Sequence, residues 1–274
     1  MVATTSLRQH ALAILLEPDP QAKAQAALAL PTAQAPSPTL VLDRGETITL
    51  TDDQLGLIPG RPSKPALVSA TQVPTRSPFT PEGRAALLHA ICHIEFNAIN
   101  LALDAVWRFA NMPDAFYWDW LQVAQEEALH FNLLRSHLQS MGHDYGDFEA
   151  HDGLWTMCEK TSGDILARMA LVPRTLEARG LDATPLIQNK LTRAGDLRAV
   201  DILDVILRDE VGHVAIGNRW YHHLCAERGL DGQAVYPSLI KQYEAPRLKP
   251  PFNEAARKAA GFTDDEIAFL LGVD

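Results

Sequence analysis

The sequence predicts an all-α protein organised around a four-helix bundle. Long stretches of the 274 residues repeat apolar side chains at the helical period, and no stretch shows a convincing strand alternation. The pattern Glu-x-x-His also occurs twice, at Glu127–His130 and at Glu210–His213, and a lone glutamate precedes each at nearly the same distance. Ligand-type residues in this order are typical of helices that supply one metal centre in the core of a bundle.

The spacing within each motif places a carboxylate and an imidazole on one helix face. Residues three apart in an α-helix lie about 60° apart around the axis, so their side chains point in similar directions. The lone Glu95 lies 32 residues before Glu127, and Glu177 lies 33 residues before Glu210. Four Glu and two His predict a site for two metal ions, with the ligands Glu95, Glu127, His130, Glu177, Glu210 and His213.

The alternative is that these glutamates are solvated charges on amphipathic helices. Glu95 lies in the apolar run that begins at Ile91, and Glu210 follows the run Val205-Ile206-Leu207, so neither has the neighbours of an exposed face. A buried carboxylate without a partner is costly, and a bound cation offsets that cost. The metal interpretation is therefore favoured.

Two further carboxylates precede the histidines by four residues. Asp209 precedes His213, and Glu126 precedes His130. Each is predicted either to hold the imidazole through its second nitrogen or to be a surface charge.

The quoted motifs are similar to those of a known family. Over residues 55 to 262 the chain resembles the ferritin-like di-iron carboxylate proteins and, more narrowly, the bacterial family called domain of unknown function 455. The matching segments are His93-Ile94-Glu95, Glu126 to Phe131, Leu176 to Asp182, Asp209 to His213 and Pro250 to Asn253. The resemblance implies a ferritin-like four-helix bundle with an N-terminal helical and extended arm and short C-terminal helices.

The resemblance also implies a role for each ligand. Glu127 and Glu210 would bridge the two metal ions and act as the catalytic carboxylates, while Glu95 and Glu177 would be terminal ligands. His130 and His213 would bind one metal ion each. The implied cofactors are two iron ions, with manganese as the alternative.

Breakers and caps predict the N-terminal elements. Prolines separate two short helices, 5–16 and 20–30, which a proline-rich linker follows over 31–38. Residues 40–73 are predicted to be extended and irregular. Thr80-Pro81 then starts a helix, with Thr as N-cap and Pro at the first helical position.

Four long helices are predicted, over 81–109, 114–141, 154–180 and 197–228. Gly142 closes the second of them, and Asp196 caps the last. Pro173 predicts a kink or bulge in the third helix, which Gly180 is predicted to end. Thr184-Pro185 is predicted to open a separate short helix.

The C-terminal part is predicted to form short helices near 232–243, 253–260 and 263–271. The predicted organisation is an arm over 1–78 that packs on the bundle, the dimetal bundle over 79–230, and a C-terminal extension over 231–274.

Two sets of polar residues outside the predicted ligands have two interpretations each. On the first long helix, His89, His93, Asn97, Asn100 and Asp104 form a stripe that is predicted to be a hydrated face, the alternative being a second polar lining or proton path. Arg174 and Arg179 flank Glu177, and ion pairs with acidic residues of neighbouring helices are favoured over binding of an anionic substrate group.

Net charge, cysteine content and the distribution of apolar residues limit the classes of function that the chain is expected to have. The formal net charge of −10, from 24 Lys and Arg against 34 Asp and Glu, disfavours a broad nucleic-acid surface. Three scattered cysteines predict free thiols in a reducing cytoplasm. No signal-peptide pattern and no run of about 18 apolar residues is apparent, so we expect a cytoplasmic chain without a membrane span.

The expected function is that of a non-haem di-iron or Fe/Mn oxidase or monooxygenase acting on an unknown small organic substrate with O₂. No flavin or nucleotide fingerprint is present, so a ferredoxin or reductase is expected to supply electrons. The alternatives are a tRNA-modifying hydroxylase, an iron storage or detoxification protein, and a di-manganese enzyme that disproportionates peroxide. Assembly of the chain into a homodimer is a further possibility that the sequence leaves open.

Overall fold

The computed structural model describes residues 5–272, and helices account for 64% of the protein against 2% in strands. The all-α prediction is therefore confirmed. The chain divides into two compact units, Met1–Asp152 and Gly153–Asp274. The predicted boundaries after residues 78 and 230 stay predictions. Residues 1–4 of the predicted arm and residues 273–274 of the predicted C-terminal extension lie outside the described residues.

The first unit contains two long helices and an N-terminal arm. Its elements are β1 (Thr5–Ser6), α1 (Leu7–Leu16), α2 (Pro20–Leu28), β2 (Leu40–Val41), α3 (Asp52–Leu55), α4 (Pro81–Arg108) and α5 (Asp114–Ser140). β1 and β2 form a two-residue parallel pair with Thr5 opposite Leu40. Helix α4 packs along α5, while α1 lies on α4 and α2 contacts both long helices.

Helix α4 begins and ends close to its predicted bounds. The hydroxyl of Thr80 accepts a hydrogen bond from the backbone N–H of Gly83 at 3.1 Å, so the predicted N-cap is confirmed. The helix is long and apolar enough to cross a membrane, but 72% of its most apolar window is buried within the protein. Its buried residues include the charged or polar Glu95 and Asp104, which is the pattern of a core helix.

Two buried basic side chains fasten the arm to α4. Arg8 donates to the carbonyl oxygens of Val106 and Trp107 at 3.3 and 2.6 Å, where the last turn of α4 leaves carbonyls without helical partners. Lys23 donates to the side-chain oxygen of Asn100 at 2.6 Å and to the carbonyl of Gly60 at 2.8 Å. These contacts tie α1 and α2 to residues about 80 to 100 positions away.

The expectation of a hydrated stripe on α4 is wrong, because all five of its residues are buried: His89, His93, Asn97, Asn100 and Asp104. The 141–152 loop and the arm cover them. Gly146 N–H donates to Nε2 of His89 at 2.8 Å, and the hydroxyl of Tyr145 lies 2.9 Å from Nδ1 of His93. The stripe lies on the opposite face of α4 from Glu95. Its residues form the contact surface for the arm and the loop.

Lys23 gives the first unit a pH-dependent stability. Burial, followed by the charge of Arg61, lowers its pKa from 10.5 to about 7, although Glu17 opposes the shift. A neutral amine has two N–H donors, and Asn100 and Gly60 accept both. Between those two pKa values the unfolded chain holds a proton that the folded chain has lost, so stability rises with pH.

We therefore expect the free energy of unfolding to rise with pH between 7 and 9, with a slope from this group that approaches about 1.4 kcal/mol per pH unit above pH 8. Urea unfolding of the wild type and of Lys23→Met at several pH values measures the difference. The exposed Lys64→Met is the control and should keep the wild-type slope. Equal slopes for the wild type and Lys23→Met would contradict the assignment.

The second unit contains the remaining helices. They are α6 (Gly153–Lys160), α7 (Ile165–Leu171), a π-helical segment (Val172–Glu177), α8 (Ala178–Arg193), α9 (Leu197–Glu227), α10 (Gly232–Gln242), α11 (Glu254–Ala259) and α12 (Asp264–Leu271). Helices α7 and α8 and the π-helical segment all pack against α9. Asp196 caps α9 as predicted, since its side chain accepts from the N–H of Ala199 at 3.1 Å.

The predicted bulge at Pro173 is confirmed, because the chain is π-helical from Val172 to Glu177. The predicted bounds of the third long helix, 154–180, and of the short helix after it are wrong. Gly180 and Pro185 both lie inside α8, and a break over 161–164 separates α6 from α7.

Pro185 is tolerated inside α8 because its missing hydrogen bond is replaced. An α-helical residue at this position would donate to the carbonyl of Leu181. That carbonyl instead accepts from the side-chain amide of Asn253 at 3.1 Å. A residue 72 positions away thus satisfies the acceptor, which local sequence does not reveal.

The C-terminal helices dock on α8 and α9 within the second unit. A buried cluster of Ala178, Leu181, Val214, Ala260, Phe262 and Ile267 forms their common core. The fully buried Arg257 pairs with Asp182 at 2.6 Å, so α11 is tied to α8.

Candidate metal centre

Three ligand-type side chains meet inside the first unit. Glu95 from α4 and Glu127 and His130 from α5 are 3%, 1% and 0% exposed. Oε2 of Glu95 lies 3.2 Å from Nδ1 of His130, and Oε2 of Glu127 lies 3.5 Å from the same nitrogen. One ligand atom of each residue lies within 4.8 Å of the other two, so the group is able to hold a metal ion.

The α4–α5 hairpin is built to bring these residues together. Residues 109–113 form a short connection between the two helices, so α4 and α5 pack against each other along their lengths. The Glu-x-x-His spacing puts Glu127 and His130 on the face of α5 that meets Glu95. The two helices also bury small side chains in this hairpin: Ala98, Ala102, Ala124 and Ala128.

The electrostatics of this group call for a cation. Burial raises the pKa of Glu95 well above its usual range, and the charge of Glu127 raises it further. Burial also disfavours a charged His130, but its contacts with Glu127 and Glu95 outweigh that effect and raise its pKa to about 11. Two buried carboxylates thus surround one imidazole, and a bound metal ion would supply the positive charge that they stabilise.

The surroundings of the group are dry and aromatic. The rings of Phe96 and Phe131 pack with centroids 5.5 Å apart, one residue beyond Glu95 and His130 respectively. Burial raises the pKa of the Cys92 thiol well above its usual range, so Cys92 remains a neutral thiol. All three cysteines are free and buried, which confirms the predicted free thiols.

The second unit carries the matching pair on α9. Glu210 is 7% exposed and His213 is 1% exposed, and Oε1 of Glu210 lies 3.8 Å from Nδ1 of His213. The buried carboxylate and imidazole therefore lie side by side, as the Glu-x-x-His spacing predicts.

The fourth glutamate has a different setting. Glu177 is the last residue of the π-helical segment and is partly exposed. Among residues 5–272 it joins no group of three ligand-type side chains. Its role as a terminal ligand stays a prediction.

A glycine allows the π-helical segment to pack closely on α9. A Cβ atom added to Gly217 would lie 2.5 Å from Cβ and 2.7 Å from Cγ of Pro173. Gly217 follows His213 by one turn, and Pro173 precedes Glu177 by one turn. The Pro173–Gly217 contact thus sets the approach of the segment that ends in Glu177 to the helix that carries His213.

The two carboxylates that were candidates to support the histidines have other partners. Asp209 accepts from the guanidinium of its neighbour Arg208 at 2.8 Å, and Glu126 accepts from the side-chain amide of Gln122 at 3.0 Å. A supporting role for either toward His213 or His130 stays a prediction.

The partners of two residues near Glu177 have no signal in the local sequence. Arg174 pairs with Glu266, 92 positions away, and the hydroxyl of Thr175 lies 2.6 Å from that of Tyr236. The Arg174 pair confirms that ion pairing is the use of this arginine. Only the folding of α10 and α12 onto the π-helical segment identifies its partners.

One family model and one relative match this chain. A family model described as "Protein of unknown function (DUF455)" matches residues 16–268. A protein of Haemophilus influenzae described as "Uncharacterized protein" is 54% identical over 220 residues, which cover 78% of this chain and 76% of that protein. No solved structure matches the chain.

Proposed function

This chain belongs to the DUF455 family, and from that premise we propose that it is a dinuclear non-haem metal oxidase or monooxygenase with a ferritin-like four-helix bundle. The proposed ligands are those that the sequence predicts: Glu95, Glu127, His130, Glu177, Glu210 and His213. Two iron ions are the proposed cofactors, with manganese as the alternative.

One observation carries the proposal, namely the fully buried group of Glu95, Glu127 and His130. Leaving two carboxylates in a dry core without a cation is costly, whereas metal coordination uses both. Carboxylate oxygens with one imidazole suit iron and manganese, while thiolates that would favour zinc or copper are missing from the group.

The second unit supports the proposal by repetition. Its Glu210–His213 pair has the same spacing, the same burial and the same side-by-side arrangement as Glu127–His130. Two equivalent pairs are the donor pattern of a two-metal site, in which each pair serves one ion and the glutamates are shared.

The protein's own residues have defined tasks in this proposal. Glu127 and Glu210 would hold both ions through shared carboxylates, and His130 and His213 would each orient one ion. Phe96 and Phe131 would exclude water from Glu95 and His130. Bound metal ions would supply the capacity to activate O₂, which carboxylate and imidazole side chains lack by themselves.

The proposed reaction needs partners. Four-electron reduction of O₂ takes two electrons from oxidation of the small organic substrate and two from an external donor, so we propose a ferredoxin or reductase as that donor. A tRNA substrate is disfavoured, because Arg257 is buried against Asp182 and Lys258 pairs with Asp264 at 2.7 Å. Arg247 and Lys249, in the same part of the chain, are exposed.

Iron titration in air separates the enzyme from a storage protein. We expect the chain to retain about two iron ions and then to stop, because a dinuclear site is filled by two. Retained iron per chain is measured by elemental analysis after desalting, with the assembly size measured by light scattering. Retention of many tens of ions in a large hollow assembly would favour storage over the oxidase.

Oxygen uptake then tests for turnover. With iron bound, a chemical reductant together with a ferredoxin should sustain O₂ consumption, whereas omission of the reductant should limit it to one equivalent per site. Release of O₂ from added hydrogen peroxide by a manganese-loaded chain, without any reductant, would replace the oxidase by the di-manganese alternative.

A further inference from the structure

The π-helical segment Val172–Glu177 is held from outside by side chains of the C-terminal helices. The π-helix is rare, and it occurs mostly as single-turn bulges inside α-helices, frequently at functional sites. In this segment, Arg174 and Thr175 are 2% and 0% exposed, so both project into the protein.

Arg174 reaches α9 and α12. Its guanidinium donates to the side-chain oxygen of Asn218 at 2.5 Å and to Oε1 of Glu266. Three aromatic rings enclose it, with centroids 4.6 to 5.2 Å from the guanidinium carbon: Tyr221, Tyr236 and Phe262. Both its charge and its plane are therefore fixed.

Thr175 reaches α10. Its hydroxyl donates to the carbonyl of Ala170 at 2.7 Å, five residues earlier, which is the spacing of a π-helical bond. Because that hydroxyl proton is used, the hydroxyl of Tyr236 must be the donor in their 2.6 Å contact. Tyr236 thus keeps Thr175 in the orientation that supports the π register.

From these contacts we propose that Glu266 and Tyr236 are positioning residues for Glu177. Together they form a clamp, Arg174–Glu266 and Thr175–Tyr236, that keeps the segment π-helical and fixes where its last residue lies. The consequence for metal binding rests on the proposed function, since Glu177 is a proposed ligand there. The clamp itself is a property of the metal-free chain.

Two substitutions remove the clamp with little change of shape. Glu266 also accepts from the N–H of Thr263 at 2.9 Å in the capping box of α12. Glu266→Gln preserves that role, because glutamine serves in a capping box, but it removes the charge facing Arg174. Tyr236→Phe removes one hydroxyl and keeps the ring.

Matched controls lie nearby. Asp265→Asn removes a neighbouring exposed charge on α12, and Tyr243→Phe removes a hydroxyl that points to Asp164 at 3.4 Å instead of to the π-helical segment. Neither substitution touches the clamp.

The first measurement is hydrogen exchange of the metal-free chain by mass spectrometry. We expect the amides of residues 172–178 to exchange at least about tenfold faster in Glu266→Gln and in Tyr236→Phe, with the controls unchanged. Wild-type exchange rates in both clamp variants would overturn the proposal, and so would acceleration spread evenly over α7, α8 and α9.

The second measurement uses Co(II) as a spectroscopic probe of coordination. In the clamp variants we expect a changed visible absorption spectrum and at least about tenfold weaker binding of one of the two ions. A mere loss of stability would leave the spectrum of the bound ions unaltered, so an unchanged spectrum with unchanged affinities would overturn the positioning role. A wild-type chain that binds no metal would defeat the proposed function instead, and the exchange result would still decide the clamp.

Discussion

Glu127→Gln is expected to lose nearly all bound iron while the chain stays folded. Glu127 is 1% exposed and lies beside both His130 and Glu95, so its carboxylate is the donor that the other two ligands share. Residues that only orient ligands change metal affinity 10- to 100-fold, so a shared ligand should cost about a hundredfold or more. Elemental analysis after anaerobic Fe(II) loading measures the retained metal.

The stability of the metal-free variant provides an internal check. Glutamine keeps the shape of Glu127 but removes its repulsion of Glu95, leaving one carboxylate with His130. Thermal unfolding of the metal-free variant should therefore occur at the wild-type temperature or above it. Glu210→Gln should lose metal in the same way. Glu82→Gln is the control on α4, since its side chain is 68% exposed, and it should retain full metal content.

Full iron content in Glu127→Gln would show that the buried group in the first unit does not bind metal. Loss of metal together with unfolding of the metal-free chain would be equally damaging, because it would make Glu127 a structural residue.

Gly217→Ala is expected to destabilise the second unit severely. The added methyl group would come within 2.5 Å of Cβ and 2.7 Å of Cγ of Pro173, and a proline ring cannot rotate away. Overpacking in a tight core typically costs about 1–3 kcal/mol, and this contact between a rigid ring and α9 belongs at the upper end. Urea unfolding followed by circular dichroism measures the loss.

A glycine on the same helix provides the control with the opposite sign. A Cβ at Gly212 would meet nothing within 4 Å, and the residue is exposed. Gly212→Ala should stabilise the chain by up to about 1 kcal/mol, because alanine has the higher helix propensity. If both substitutions had the same effect, the close packing of Pro173 against α9 would be refuted.

Local chemistry alone was sufficient to predict the ends of several helices. Thr80 and Asp196 cap α4 and α9 as expected, because an N-cap needs only a side-chain oxygen and a backbone N–H three residues later. The bulge at Pro173 was predictable for the same reason, since a proline removes one donor from its own helix.

Helix ends that depend on distant partners were not predictable. Pro185 has the same missing donor as Pro173, yet α8 continues through it because Asn253 satisfies the carbonyl of Leu181. The polar stripe on α4 likewise predicts a hydrated face from sequence alone, but in the structure the arm and the 141–152 loop contact it. In both cases the deciding contact joins residues more than 50 positions apart.

For the candidate site, the sequence by itself determined which residue types share a helix face. Glu127 with His130, and Glu210 with His213, are side by side because an α-helix brings residues three apart together whatever surrounds it. Only the tertiary structure decided that Glu95 joins the first pair in a dry core and that Glu177 ends a π-helical segment held by Glu266 and other distant residues. Helical periodicity is a property of the backbone, whereas burial and register depend on which parts of the chain pack against it.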